Sequence, residues 1–433
     1  MRVLMFGWEF PPHIAGGLGT ACYGMTKGLA ANGVEVLFVM PSASGDEDQS
    51  AVRILNASDT PVVEDVLTDV TEFMDKVQFF RIGTNMIPYA NPEEFATIVE
   101  NEKKFLEKDF RISYGKKYKF SGKYGANLME EVARYAMAGA TLAMEHADEF
   151  DVIHAHDWLT YLAGMAAKKV TGKPLVVHVH ATSFDRGSED NIDTRVYSLE
   201  RRGMEAADMV IAVSELTRNI CINKYGISPD KVVAVHNAVD FSGREGLDVE
   251  RGIKDKVVTF LGRVTYQKGP EYFIEAAAKV LKRCDNVRFV MAGSGDLLNK
   301  CIRHVARLGI SDRFHFTGFL RGADVTRMFA LSDVYVMPSI SEPFGISPLE
   351  AMQTNVPSII SKQSGVAEVL NYAIKTDFWD VDAMADAIYG LLNYPALSHV
   401  ASTYGYEEVN NLKWTAAAAK IKSVYESVAN KEQ

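Results

Sequence analysis

Short apolar runs recur along this chain, and each stops abruptly at a glycine or a polar residue before a helical pattern begins. Arg2–Phe6 stops at Gly7, Asp151–Ala155 at His156-Asp157, Pro174–Val179 at His180, Met209–Val213 at Ser214, and Val232–Val235 at His236-Asn237. The pattern restarts with Val257–Leu261, which stops at Gly262-Arg263. Val287–Ala292 then stops at Gly293, and Asp333–Met337 runs into Pro338. Runs without polar alternation read as strands buried on both faces, which is the signature of a parallel sheet. Between them, helices are predicted over Leu18–Asn32 (stopped by Gly33), Asn127–His146, Gly269–Arg283, Asp296–Leu308, Gly322–Ser332, Val381–Asn393 and Trp414–Ala429. Further strands are predicted at Val34–Val39, Val77–Ile82 and Phe314–Gly318, and a solvated helix at Phe95–Phe110. The predicted fold class is therefore α/β, with two Rossmann-like doubly wound domains. The polar stretch Ser242–Asp255 reads as the linker, which divides the chain into residues 1–241 and 242–411. The last helix, within 412–430, has no strand after it and must pack on something already built.

In open α/β sheets ligands bind beyond the carboxyl ends of the strands. His156, Asp157, His180, Ser214 and Asn237 all fall there, and their repetition at successive strand ends is informative where a single buried histidine would not be. In the second half, Arg263 and Lys268 stand in a loop ahead of a helix. Positive charge is disfavoured at a helix start, so two cations there suit a diphosphate, with Arg263 able to grip two oxygens and Lys268 acting as a point charge.

The richest stretch is Ser341–Glu350, Ser-Glu-Pro-Phe-Gly-Ile-Ser-Pro-Leu-Glu. It joins a buried strand to a helix whose N-cap is predicted at Ser347, with Pro348 at the first helical position. Free backbone N–H groups beyond Gly345 and Ile346 attract an anion. A carboxylate on either side of an anion site calls for hydroxyl partners, so Glu342 and Glu350 suit a sugar and a ribose. Glu350 equally fits a capping box with Ser347, whereas Glu342 has no evident local structural task.

Other functions fit less well. Gly17 and Gly19 match two glycines of a dinucleotide fingerprint, but Cys22 stands at the third position and the second strand ends in Met40-Pro41-Ser42 without an acid. Asp380-Val381-Asp382 resembles a metal-binding Asp-x-Asp, yet it precedes a helix, where capping is the simpler role. Lys116–Tyr124 is basic with interleaved aromatics: a solvated loop, or an acceptor-binding one in which Tyr124 stacks on a sugar. The net charge of −10 argues against nucleic acid. No run approaches the roughly 18 apolar residues of a membrane span. Four cysteines without metal-ligand spacing read as buried, reduced thiols of a cytoplasmic protein.

Taken together, Trp8-Glu9-Phe10-Pro11-Pro12 with Gly16-Gly17-Leu18, His154-Ala155-His156-Asp157-Trp158, Gly262-Arg263 with Lys268-Gly269, and Glu342-Pro343-Phe344-Gly345 with Glu350 resemble the retaining GT-B glycosyltransferases of family 4 and the related bacterial glycogen synthases of family 5. Family 5 usually has Lys-Thr before the paired glycines. Ile14-Ala15 stands there, so family 4 is the better match. A further departure is Asn371–Asp377, where many relatives carry Asn-Gly and an apolar strand.

The resemblance implies a GT-B fold, two domains facing across a cleft, the donor held mainly by the C-terminal domain and the acceptor by the N-terminal one, with the last helix crossing back to the N-terminal domain. It implies a nucleotide-sugar donor, such as ADP-glucose or UDP-glucose, with no cofactor or metal and with retention at the anomeric carbon. By motif, Arg263 and Lys268 hold the diphosphate, Gly17 approaches it through its backbone, Glu350 binds the ribose, Glu342 and His180 face the transferred sugar, and Glu9 and Asp157 lie on the acceptor side. The expected activity is elongation of an α-glucan; the alternative is transfer to a surface polysaccharide, a lipid-linked sugar or a sugar phosphate.

Overall fold

The computed structural model describes residues 1–13, 17–62, 117–120, 128–187, 192–239 and 252–430. The strand expected at Val77–Ile82, the helix expected at Phe95–Phe110 and Tyr124 lie outside the described residues. Seven strands form the first sheet: β1 Arg2–Phe6, β2 Glu35–Met40, β3 Arg53–Asn56, β4 Val152–His156, β5 Leu175–Val179, β6 Met209–Ala212 and β7 Val232–Ala234, in the order β3-β2-β1-β4-β5-β6-β7. Six form the second: β8 Lys256–Leu261, β9 Val287–Ala292, β10 Phe314–Gly318, β11 Val334–Met337, β12 Ser358–Ser361 and β13 Ile374–Thr376, in the order β10-β9-β8-β11-β12-β13. The pairings within both sheets are parallel. The apolar runs have their physical reason here: β4 and β5 are buried at every position, with helices on both faces of the sheet.

The last helix, Trp414–Ala429, packs on the first sheet and not on the second. Glycines make the fit. A Cβ at Gly24 would come 2.1 Å from the Trp414 indole nitrogen, and one at Gly28 would come 2.5 Å from the Trp414 carbonyl oxygen. These two positions, four apart on helix Gly17–Ala31, form a notch that admits Trp414. Asn32 Nδ2 donates to the Thr415 carbonyl at 2.9 Å and Lys422 Nζ to the Asn32 carbonyl at 2.9 Å, which fixes the far end.

The lobes built on the two sheets also touch directly. Ser214 Oγ donates to the Pro343 carbonyl at 2.5 Å, and the Glu368 carboxylate accepts from the backbone N–H groups of Glu215 (2.9 Å) and Leu216 (2.8 Å). Ser341 Oγ donates to Asp185 Oδ1 at 2.5 Å. All four cysteines are buried and none forms a disulfide. No helix among the described residues is long and apolar enough to cross a membrane.

Candidate active site

Strand order reverses between β1 and β4 in the first sheet and between β8 and β11 in the second, and a crevice opens beyond the strand ends at each such point. The two crevices share one cleft of about 300 Å³. The first lobe lines it with Gly17, Asp157, His180 and Arg186; the second contributes Arg263, Lys268, Glu342, Gly345 and Ile346.

On the second lobe, close backbone approach builds the site. Gly293 has φ 149°, and a Cβ there would lie 1.8 Å from the Gly262 carbonyl oxygen. Gly269 has φ 63°, and a Cβ there would lie 2.1 Å from the Pro338 carbonyl oxygen. Both positions need glycine for space as well as for conformation. The second contact presses the Lys268 loop onto the end of β11, so the Lys268 ammonium meets the Glu342 carboxylate. Ser339 Oγ donates to the same Glu342 oxygen at 3.2 Å. The Glu342 backbone is pinned as well, its N–H donating to the Gln363 carbonyl at 3.0 Å and its carbonyl accepting from Gly365 at 2.9 Å. Arg263 Nη2 donates to Gln267 Oε1 at 3.1 Å, which holds the guanidinium against the loop it shares with Lys268.

The first lobe buries its charge. Asp157, at the end of β4, has φ 57°, a region costly for a residue with a Cβ. Its Oδ1 accepts from the N–H groups of His180 (2.7 Å) and Ala181 (3.3 Å), so one carboxylate ties the end of β4 to the end of β5. Burial pushes this carboxyl up to about 6, against the opposing pull of Arg186 at 3.8 Å. Arg186 also pairs with Glu200 at 2.8 Å. Glu200 accepts from Ser183 Oγ at 2.7 Å and from the Tyr225 hydroxyl at 2.5 Å. His180 Nε2 is hydrogen-bonded to His156 Nδ1 at 3.0 Å, which sets how the His180 ring is presented to the cleft.

Several expected residues sit elsewhere. Glu9 does not line the cleft; it is 5% exposed, and its Oε1 accepts from the backbone N–H of Gly19 at 3.2 Å, at the start of helix Gly17–Ala31. Glu350 is half-buried in the first turn of helix Ser347–Gln353, beside the cleft and not among its lining. The capping-box reading of Glu350 is corrected by register. Ile346 occupies the N-cap without a side-chain cap bond, and Ser347 is already helical, one residue inside the helix. Asp380 accepts from the Ala383 N–H at 2.9 Å and Asp382 pairs with Lys279, so that Asp-x-Asp caps a helix. The Arg186–Glu200 pair and the Asp185–Ser341 contact were not read from the sequence. Adjacent Asp185 and Arg186 after a strand end were a usable signal, but nothing local points to Glu200 or Ser341.

Comparison with known proteins agrees with this architecture. The model for the starch synthase catalytic domain matches residues 2–234, and the model for group 1 glycosyl transferases matches residues 248–408. An uncharacterized glycosyltransferase of Methanocaldococcus jannaschii is 28% identical, with 98% of each chain covered. The glycogen synthase of Mycobacterium tuberculosis is 22% identical over 98% of this chain and 94% of its own length. Sucrose-phosphate synthase from Thermosynechococcus elongatus shares the fold, with a TM-score of 0.71 at 17% identity over 98% of both chains. With two family models covering nearly the whole chain and two doubly wound sheets facing one cleft, the protein belongs to the GT-B glycosyltransferases, among the glycogen synthase-like and group 1 enzymes.

Proposed function

We propose that this glycosyltransferase moves a glucosyl group from a nucleotide-glucose, ADP-glucose or UDP-glucose, to the end of an α-glucan, with retention at the anomeric carbon and without a metal at the diphosphate. The observation that carries the reading is the pairing of a cationic loop, Arg263 and Lys268, with the Glu342 carboxylate on one wall, opposite His180 and Asp157 on the other. The starch-synthase match falls on the first lobe, the side expected to hold the acceptor, and this favours an α-glucan over other acceptors.

The anomeric C1–O bond to the diphosphate breaks, and a C1–O bond to the acceptor hydroxyl forms on the same face. The hydroxyl proton passes to the departing phosphate oxygen. Arg263 and Lys268 stabilise the negative charge that grows there, and being held in place before reaction they need little reorganisation. Glu342 and His180 orient the transferred sugar, and Asp157 holds His180 by its backbone N–H. Glu350 accepts a ribose hydroxyl at the rim of the cleft.

The test supplies ADP-glucose or UDP-glucose with maltooligosaccharides, a sugar phosphate or a lipid-linked sugar, in the presence of a chelator. Chain extension with an α-linkage, read by NMR, is expected. An inverted product ends the retaining assignment, transfer confined to the phosphate or lipid acceptor ends the α-glucan assignment, and donor turnover that is lost on chelation and restored by magnesium or manganese ends the metal-free one.

A further inference from the structure

Behind the cleft, the first sheet carries a row of imidazoles, of which the proposed reaction uses only His180. β4 contributes His154 and His156, and β5 contributes His178, with His180 just beyond its end. Spacing by two puts each pair on one face of its strand, and the sheet register sets His156 beside His178. The rings lie against one another: centroids are 4.3 Å apart for His154 and His156, and 5.4 Å for His178 with each of them. His154 and His156 are fully buried and His178 is 1% exposed.

Hydrogen bonds account for only two of their nitrogens. The Tyr425 hydroxyl of the last helix meets His154 Nδ1 at 2.6 Å, and His180 meets His156 Nδ1. His154 Nε2, His156 Nε2 and both ring nitrogens of His178 have no hydrogen-bond partner among the described residues. One ligand atom from each of the three lies within 4.8 Å of the other two. A single buried polar atom left unpaired costs about 1–3 kcal/mol, so four of them within one buried cluster call for a shared partner. Neutral imidazole, with one ring nitrogen free of a proton, is the form that binds a metal.

We propose that His154, His156 and His178 form a buried tri-imidazole site for a zinc ion with a structural role. Three neutral nitrogens suit zinc and not magnesium or calcium, which take oxygen ligands. Zinc–nitrogen bonds of about 2.0–2.1 Å place tetrahedral ligand atoms about 3.4 Å apart, so the three nitrogens, which lie within 4.8 Å of one another, close to that spacing around the ion, with a water as its fourth ligand. The Tyr425 contact to the far nitrogen of His154 is the outer-shell support that ligating histidines commonly have. Cys22 forms a second grouping with His156 and His180, but burial, then Glu9 and Asp157, raise its thiol well above the ordinary range and oppose the thiolate a metal needs. The ion would join the sheet to the crossing helix through His154 and Tyr425, and would steady His180 through His156.

The test measures metal in the full chain purified after folding with zinc, alongside saturation with cobalt as a spectroscopic probe. About one zinc per chain, a tetrahedral cobalt absorption band without a thiolate charge-transfer band, and a melting temperature that falls on metal removal and recovers with zinc are expected. His154→Gln and His178→Gln should lose the zinc, and Tyr425→Phe should weaken its affinity roughly 10–100-fold. Metal retained in both glutamine variants means surface binding and overturns the site, as does wild-type protein with neither saturable cobalt absorption nor a zinc-dependent melting temperature. If the glutamine variants fail to fold, those two wild-type measurements decide the matter.

Discussion

The two walls of the cleft are made in different ways. The second lobe uses backbone: Gly269 and Gly293 bring loops into contact, and Arg263, Lys268 and Glu342 are carried on them close together. The first lobe uses buried charge: Asp157, Asp185, Arg186 and Glu200 are locked in a network drawn from two strand ends and the following helices. On the second wall Arg263 and Lys268 line the cleft, held by Gln267 and Glu342. The first wall has spent most of its hydrogen-bonding capacity on itself. Substitutions on the second wall should therefore act on catalysis and binding, and those on the first on stability and its pH dependence.

The largest effect on that contrast is expected at the cations. Arg263→Ala and Lys268→Ala should each cost about 2–4 kcal/mol of transition-state stabilisation, read in kcat/KM, with the melting curve nearly unchanged. Activity near wild type in either variant removes the diphosphate assignment.

On the opposite wall the readout is pH. Asp157 is raised from 3.8 to about 6 in the folded protein, so its contribution to stability is fully present below pH 3.8 and is lost as pH rises through about 6. Asp157→Asn, which keeps an oxygen acceptor for the His180 N–H, should gain stability over wild type above pH 6, by up to about 3 kcal/mol, and gain little at pH 4. Equal melting shifts at the two pH values would show that burial of this carboxyl is not what governs the first wall.

Glu350 sharpens the comparison because register leaves it no capping-box role. Glu350→Gln should raise the nucleotide dissociation constant roughly tenfold, a loss of about 1.4 kcal/mol, at nearly constant stability. Calorimetry beside a melting curve decides it; unaltered nucleotide affinity takes the ribose away from Glu350.

The smallest effect is expected where the walls meet. Burial pushes the Glu368 carboxyl up, but the His236 contact at 2.6 Å and two backbone N–H donors outweigh it and hold the group below its ordinary range. This pair is partly solvent-screened, so Glu368→Gln should weaken lobe contact by about 1 kcal/mol or less. Small-angle scattering of the ligand-free variant should show a larger radius, restored by saturating nucleotide-sugar. An unchanged radius in both states means the lobes are held by other contacts.

How much was legible follows the same division. The Arg263–Gly269 and Glu342–Glu350 segments each carry their chemistry within ten residues, so residue type and local turn signals sufficed to pick them out. The helix at Val381–Asn393 and the strand at Phe314–Gly318 match their patterns to the residue. β12 was not read: Ser358–Ser361 has two apolar residues between serines, and only its place beside β11 makes it a strand. Helix Pro395–Asn410 was missed as well, though Pro395 in its first turn was a start signal, because its exposed face carries Leu397, Val400 and Tyr404 and blurs the amphipathic pattern.

What the sequence determined by itself was the alternation of buried strands and helices, the restart that makes two sheets, and the local loops that present cations and a carboxylate. These depend on neighbours in the chain. Tertiary structure alone decided that Glu9 turns to a helix start, that Ser347 is one residue inside its helix, that Arg186 finds Glu200 and Ser341 finds Asp185, and that three histidines from two strands converge beneath Tyr425. Burial and hydrogen-bond pairing are properties of residues brought together across many positions in the chain, and only the packed sheet and the crossing helix specify which atoms are left to meet.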